Sequence, residues 1–292
     1  MRIAFMGTAE LAVPCFEAVA KTPGREVVVV VTQPDRPKGR DLKLAPSPVK
    51  VAAERLGFPI QQPLKIREPA AIESLRAAQP DLIIVVAYGQ ILPKSILEIP
   101  RLGCVNVHTS LLPRWRGAAP IQYAILHGDR ETGVTILQQS ELIRADDTSA
   151  TLHDRLAKLG AELLVETAAL ISAGNAPRER QDEAHATYAK KITKEDGRIN
   201  WSRPAAEIER QVRAFNPWPS AYTLLGDQLL KIWKAEVVES ITGKPGDVLA
   251  DFVVATGHGG LRILELQPAN SKRMAVDVFL RGHPIKSGIV IG

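Results

Sequence analysis

Asn106 and His108 stand two positions apart at the end of the apolar run Cys104-Val105-Asn106-Val107-His108, which breaks at once into a loop containing Pro and Gly. Alternate side chains of a strand share a face, so a carboxamide and an imidazole sit side by side at a strand end. The amide N–H can donate to the oxyanion that develops when a carbonyl is attacked. The imidazole can carry a proton to or from the tetrahedral species. Spacing alone leaves two readings level: a pair that moves an acyl or formyl group, or a hydrogen-bonded pair that closes a strand. Rival chemistries have less support. The chain has no Gly-x-Ser-x-Gly elbow and no candidate Cys nucleophile, and its His and Cys spacings suit no zinc site. Direct acyl or formyl transfer without a covalent enzyme intermediate is the chemistry these two groups could support.

The elements that must position the pair alternate in type. Strand patterns cover residues 2–6, 27–32, 82–86, 105–108 and 133–137, with a weak one at 59–62. Helical patterns cover 11–21, 49–56, 69–78, 95–97, 120–127 and the long stretch 151–172, which follows the N-cap types Asp147-Thr148-Ser149. This alternation predicts an α/β fold with a mostly parallel, Rossmann-like sheet and helices on both faces. Ligands of such folds bind beyond the carboxyl ends of the strands, where Asn106 and His108 fall. Residues 173–197 turn polar and densely charged, as a surface linker does. Beyond them come an amphipathic helix at 205–215 and short strand patterns at 221–225, 229–236, 247–249, 252–256 and 261–266, punctuated by Gly and Pro. That spacing predicts a small β-barrel or sandwich. The expected domains are 1–175, a linker at 176–196, and 197–292.

Composition narrows the function without naming it. The chain has 292 residues, 45% hydrophobic, with a formal charge of +5. That mild basic excess permits a polyanionic partner such as RNA without requiring one. Cys15 and Cys104 lie in apolar surroundings and read as buried thiols, not as a disulfide or metal pair. Gly7 and Glu10 interrupt the N-terminal apolar stretch, so no signal peptide is expected there. No apolar run comes near the length that spans a bilayer. A cytoplasmic protein, probably the wrong host for a disulfide, fits this pattern. Gly7-Thr8-Ala9-Glu10 reads as a tight strand-to-helix turn; it matches neither a dinucleotide fingerprint nor a P-loop, so no nicotinamide or ATP cofactor is expected.

Residues 34–48 form a long loop carrying Arg36, Lys38, Arg40 and Lys43 against Asp35 and Asp41. A basic loop beside the site could grip phosphates. On sequence alone a solvated surface loop is somewhat favoured. Tyr88, at the end of the strand 82–86, either lines a pocket or packs. Trp201, Trp218 and Trp233 read as core anchors of the second module, because aromatics make up only 5% of the chain and a base-stacking sheet would show more.

Asn106-Val107-His108, followed by residues 110–122 (Ser-Leu-Leu-Pro-Arg-Trp-Arg-Gly-Ala-Ala-Pro-Ile-Gln), closely resembles the methionyl-tRNA formyltransferase family. Five further segments narrow the resemblance: Thr-Gln-Pro-Asp-Arg-Pro at 32–37, Pro-Ser-Pro-Val-Lys at 46–50, Val-Ala-Tyr-Gly at 86–89, Gly-Val-Thr-Ile at 133–136 and Arg-Ala-Phe-Asn-Pro-Trp-Pro at 213–219. It runs from Met1 almost to the C-terminus. The resemblance implies a formyl-folate domain followed by a C-terminal barrel like an OB fold. It implies transfer of the formyl group of 10-formyltetrahydrofolate to the α-amino group of methionyl initiator tRNA, by a monomer with no metal. By the same resemblance Asn106 holds the formyl oxygen and His108 manages protons. Ser110, Leu111, Leu112 and Pro113, with Tyr88, would lie against the folate. Arg36, Lys38, Arg40 and Lys43 would meet the tRNA, with Arg40 wedged at the acceptor end.

The chain departs from the family in one place that matters. The resemblance implies a third catalytic group, an aspartate in an acidic, Gly-containing turn after residues 133–138. Here Gln138 runs straight into Gln139-Ser140-Glu141, a shortening of about a dozen residues for loops of ordinary length. A smaller shortfall falls near Ala250-Asp251, where a hairpin turn is expected. Either loop residues of the natural chain are left out of this sequence, or the protein lacks them and is impaired. Omission is favoured, since the flanking strand patterns are intact. Asp146 and Asp147 read as a helix cap and are not promoted to the missing role. Two rival functions remain: folate-dependent formyl transfer to an amino sugar or other small amine, and a non-catalytic RNA-binding homologue.

Overall fold

The computed structural model describes residues 1–38, 43–285 and 288–292. In chain order the first elements are β1 (Arg2–Gly7), α1 (Ala12–Ala20), β2 (Glu26–Val31), β3 (Arg36–Lys38), β4 (Lys43–Ala45), α2 (Pro48–Leu56) and β5 (Ile60–Gln61). Then come α3 (Pro69–Ala77), β6 (Leu82–Val86), α4 (Lys94–Leu97), β7 (Cys104–Val107), β8 (Arg116–Gly117), α5 (Pro120–Leu126), β9 (Glu131–Val134), β10 (Gln139–Leu142) and α6 (Ser149–Ser172). The remainder holds β11 (Tyr188–Ala189), α7 (Ala205–Ala214), β12 (Ala221–Leu225), β13 (Gln228–Val238), β14 (Val253–Ala255), β15 (Gly260–Pro268), β16 (Met274–Ala275) and α8 (Val276–Gly282). The chain divides into two compact units.

The first unit comprises Met1–Pro113, Gly133–Glu141 and His153–Ala184. Its sheet has the order β5-β2-β1-β6-β7, and every pairing is parallel. The central strands are apolar on both faces, as a sheet covered on both sides requires. Ala4, Met6, Val29, Val31 and Ile83 join Ile66, Leu75 and Ile96 in one buried cluster. The chain winds from β1 outward to β2 and β5, then returns to β6 and β7 on the other flank. The switch in direction opens a crevice at the carboxyl ends of β1 and β6, the usual ligand position in such sheets. Thr8 bridges it by donating from Oγ1 to the Tyr88 carbonyl, 2.8 Å away.

α6 lies behind β7. A Cβ on Gly160 would stand 3.0 Å from Val107 Cγ1, so only a residue without a side chain lets the helix sit this close. The start of α6 is held as its cap types suggest: Thr148 Oγ1 accepts from Thr151 N–H at 3.3 Å, and Thr151 Oγ1 donates to Asp147 Oδ1 at 2.9 Å. Among the described residues no helix is long and apolar enough to cross a membrane.

The second unit comprises Arg114–Thr132, Leu142–Leu152 and His185–Gly292. Its sheet is antiparallel, in the order β12-β13-β15-β14, with β16 on β15. Trp201, Ile208, Ile232, Phe252, Ile263 and Phe279 share its core. Two departures from expectation appear here. Trp218, expected as a core anchor, is half exposed, because it falls after α7 ends and before β12 begins. Residues 185–189, read as part of a surface linker, are partly strand: β11 pairs in parallel with β8, and Trp115 N–H donates to Thr187 Oγ1 at 2.8 Å.

Candidate active site

β7 delivers the pair as its spacing predicts. Asn106 registers with Val85 and Val107 with Val86 of the neighbouring parallel strand. Val107 turns into the core under α6, while Asn106 is exposed and His108 half-buried. Strand alternation therefore puts both polar groups on the face opposite the packed valine.

His108 is fixed in two ways. Its main chain bridges Thr135, with N–H to O distances of 3.2 Å and 2.8 Å in the two directions. Its ring Nδ1 lies 3.0 Å from Ser110 Oγ, and Ser110 is fully buried. When Nδ1 carries the proton and donates to Ser110, the Nε2 lone pair is left as the base. Ser110, expected at the folate, thus also holds the imidazole.

Thr135 was not singled out by the sequence reading, although it organises the loop after β7. Its Oγ1 donates to the Ser110 carbonyl at 2.6 Å and accepts from Leu112 N–H at 2.9 Å. Gln138 Nε2 donates to the Leu112 carbonyl at 3.0 Å, and the Leu112–Pro113 bond is cis. Leu111, Leu112 and Pro113 are half-buried along this loop. The only hint in the sequence was the segment 133–136, noticed for its resemblance alone.

β9 and β10 are joined by the short turn 136–138, so the acidic turn that the resemblance implies has no counterpart. Glu141, just past that turn, accepts from Arg155 Nε at 2.8 Å. Asp147 accepts from Arg144 N–H at 2.7 Å as well as from Thr151, which fits its reading as a cap. Among the described residues no group of His, Cys, Asp and Glu could hold a metal ion.

Tyr88 follows the end of β6. Its ring packs in the buried cluster with Ile66, Leu75 and Ile96, and its carbonyl accepts from Thr8 and from Gln33 Nε2. Burial pushes its hydroxyl pKa up to about 12, and that hydroxyl has no hydrogen-bond partner. A buried unpaired hydroxyl costs stability. Tyr88→Phe is therefore expected to leave kcat and the folate KM within about twofold and to raise the denaturation midpoint slightly, the unmade bond being worth about 1 kcal/mol. A large loss of folate affinity in an equilibrium titration would instead give the hydroxyl a ligand.

The basic loop is a hairpin. β3 and β4 pair antiparallel, with Arg36 opposite Ala45 and Lys38 opposite Lys43. Arg36 and Lys43 are exposed, and Arg40 lies outside the described residues. At its root, bonds from the Lys50 ammonium and the Gln62 amide hold the Asp35 carboxyl below the usual carboxylate range.

Comparison with known proteins gives a consistent picture. Residues 1–168 match the formyl transferase family and residues 191–284 match the formyl transferase C-terminal domain. Methionyl-tRNA formyltransferase of Methylococcus capsulatus is 49% identical over 302 residues, covering 98% of each chain. That of Citrifermentans bemidjiense is 47% identical over 309 residues, covering all of this chain and 96% of its own. The second alignment is longer than the 292 residues present, so the relative carries residues with no counterpart here. Two solved structures share the fold at low identity. An N-formyltransferase from Helicobacter canadensis, in complex with folinic acid and dTDP-3-aminofucose, has a TM-score of 0.67 at 17% identity and covers 93% of this chain and 99% of its own. HypX from Aquifex aeolicus, in complex with tetrahydrofolic acid, has a TM-score of 0.60 at 18% identity and covers 96% of this chain and 47% of its own.

Proposed function

This chain belongs to the methionyl-tRNA formyltransferase family, and from that premise we propose how its residues carry out the reaction. The enzyme transfers a formyl group from a folate donor to the amino group of methionyl initiator tRNA. In our reading the donor is 10-formyltetrahydrofolate. It lies along Ser110, Leu111, Leu112 and Pro113, and the main chain at Tyr88 closes the other side of the crevice.

The methionyl amine attacks the formyl carbon in its neutral form, and the carbonyl oxygen becomes an oxyanion. Asn106 donates its amide N–H to that oxygen. The new C–N bond leaves a proton on the attacking nitrogen, which Nε2 of His108 removes and then passes to the departing folate nitrogen as its C–N bond breaks. Both proton steps thus use one imidazole, held by Ser110. Arg36, Lys38, Arg40 and Lys43 grip the tRNA backbone. Residues 1–175 form the folate domain, 176–196 the linker, and 197–292 an OB-like barrel that adds phosphate contacts. The enzyme works as a monomer in the cytoplasm.

One observation carries this reading: a carboxamide and an imidazole share the open face of β7, beside the crevice at the strands' carboxyl ends. The test offers the purified protein formyl-folate with methionyl initiator tRNA, uncharged tRNA or a nucleotide-linked amino sugar. Formylation of the charged tRNA alone is expected. Transfer only to the sugar would move the acceptor to small amines, and tRNA binding without transfer would make the chain a binding protein.

A further inference from the structure

Two segments stand out in the sequence without a part in the chemistry: Thr32-Gln33-Pro34-Asp35-Arg36-Pro37 and Pro46-Ser47-Pro48-Val49-Lys50. They flank the basic hairpin, and the structure locks them together at its root. Lys50 Nζ donates to both carboxylate oxygens of Asp35, at 2.9 Å and 2.7 Å. Gln62 Nε2 donates to Asp35 Oδ1 at 2.8 Å and to the Gln33 carbonyl at 3.0 Å. The Thr32 and Ser47 hydroxyls lie 2.6 Å apart and are buried, and Ser47 Oγ also accepts from Lys50 N–H at 3.0 Å, capping α2.

Gln33 extends this lock in two directions. Its amide oxygen accepts from Arg36 on β3, and its amide nitrogen donates to the Tyr88 carbonyl at 2.9 Å. A Cβ on Gly89 would stand 2.5 Å from that nitrogen, so the loop after β6 is built to admit it. One buried amide therefore ties the first strand of the hairpin to the rim of the crevice.

An exposed ion pair rarely fixes a loop, because both side chains lose freedom and water screens the charges. This one differs. Asp35 and Lys50 are both part-buried, the contact involves both carboxylate oxygens, and a neutral amide fills a further acceptor position. Charge-assisted bonds of this kind are roughly twice as strong as neutral ones.

We propose that Gln33, Asp35 and Lys50 are positioning residues which hold the basic hairpin at the crevice, so that its cations meet the phosphates of methionyl-tRNA while the amine is at the formyl carbon. None of the three touches the reacting atoms. Their effect falls on use of the tRNA and not on the chemical step. The proposal rests on the reading of the hairpin as a tRNA contact.

The experiment measures kcat, the KM for methionyl-tRNA and the KM for formyl-folate in the full chain. Lys50→Met is expected to raise the tRNA KM about tenfold, as loss of one part-buried ion contact does, with kcat and the folate KM within about twofold. Lys50→Arg, which keeps the charge and can still reach the carboxylate, should recover most of the loss. If Lys50→Met does not fold, Gln62→Leu gives the same split in milder form. An unchanged tRNA KM, or an equal loss in kcat and in both KM values, would overturn the clamp. Arg40→Ala separates this from the underlying reading. It should weaken tRNA use and flatten its salt dependence. If Arg40→Ala does so while Lys50→Met does nothing, the clamp fails and the hairpin keeps its tRNA. If Arg40→Ala leaves the salt slope unchanged, the tRNA reading of the hairpin fails and takes the clamp with it.

Discussion

Asn106→Ala is expected to lower kcat for methionyl-tRNA formylation by about a hundredfold to a thousandfold, the usual cost of one oxyanion donor. Affinity for folate should change little, because the amide bonds most strongly to an oxygen that carries charge only in the transition state. The side chain is exposed at the end of β7, so its truncation opens no core cavity and stability should hold within about 0.5 kcal/mol. His108→Ala should cost about a hundredfold to ten-thousandfold in kcat, the range for a positioned proton carrier. The two losses should not multiply. If the groups act on one intermediate, the double variant falls little below the worse single one. Single-turnover formylation, with folate binding measured separately by equilibrium titration, reads both. Near-normal turnover in either single variant would leave the pair as the end of a strand and nothing more.

That pair was legible because a strand repeats every two residues, and because amide and imidazole are rare neighbours with a chemical use. The parallel sheet was legible from its apolar runs. The basic hairpin was not. Residues 36–45 mix Pro, Gly and charge with no alternation, and their pairing depends on backbone register and on anchors at Lys50 and Gln62. Thr135 escaped notice for a related reason: it works by bonding main-chain groups 25 and 23 residues away. The short strands β8 and β11 are too brief to show any period, so the second was read as linker. Trp218 was placed by its hydrophobicity, while its exposure follows from where the neighbouring elements stop.

Gly133→Ala is the second large effect. A Cβ at this position would lie 2.1 Å from the Gln139 carbonyl oxygen and 2.6 Å from Leu111 Cδ2. Leu111 can turn aside. The carbonyl belongs to the partner strand of the same hairpin and cannot move without opening β9 from β10. Overpacking of this kind costs about 1–3 kcal/mol, and the upper end is expected where backbone must yield. Thr135 lies two residues on, so the displacement should also loosen its bonds to Ser110 and Leu112. The variant should show a lower denaturation midpoint together with a kcat reduced about tenfold or more, since small errors in the placement of a proton carrier are costly. Full activity with unchanged stability would mean that the loop after β7 keeps its shape without this hairpin.

The contact between Gly160 and Val107 carries a longer reach than its size suggests. Val107 is the residue between the amide and the imidazole, and in a pleated chain a push on one side chain tilts both of its neighbours. The rear of the sheet therefore sets the aim of the front. Whatever selection acts on the α6 surface, out of sight of folate and tRNA alike, is also selection on the angle at which two reactive groups meet one carbon atom.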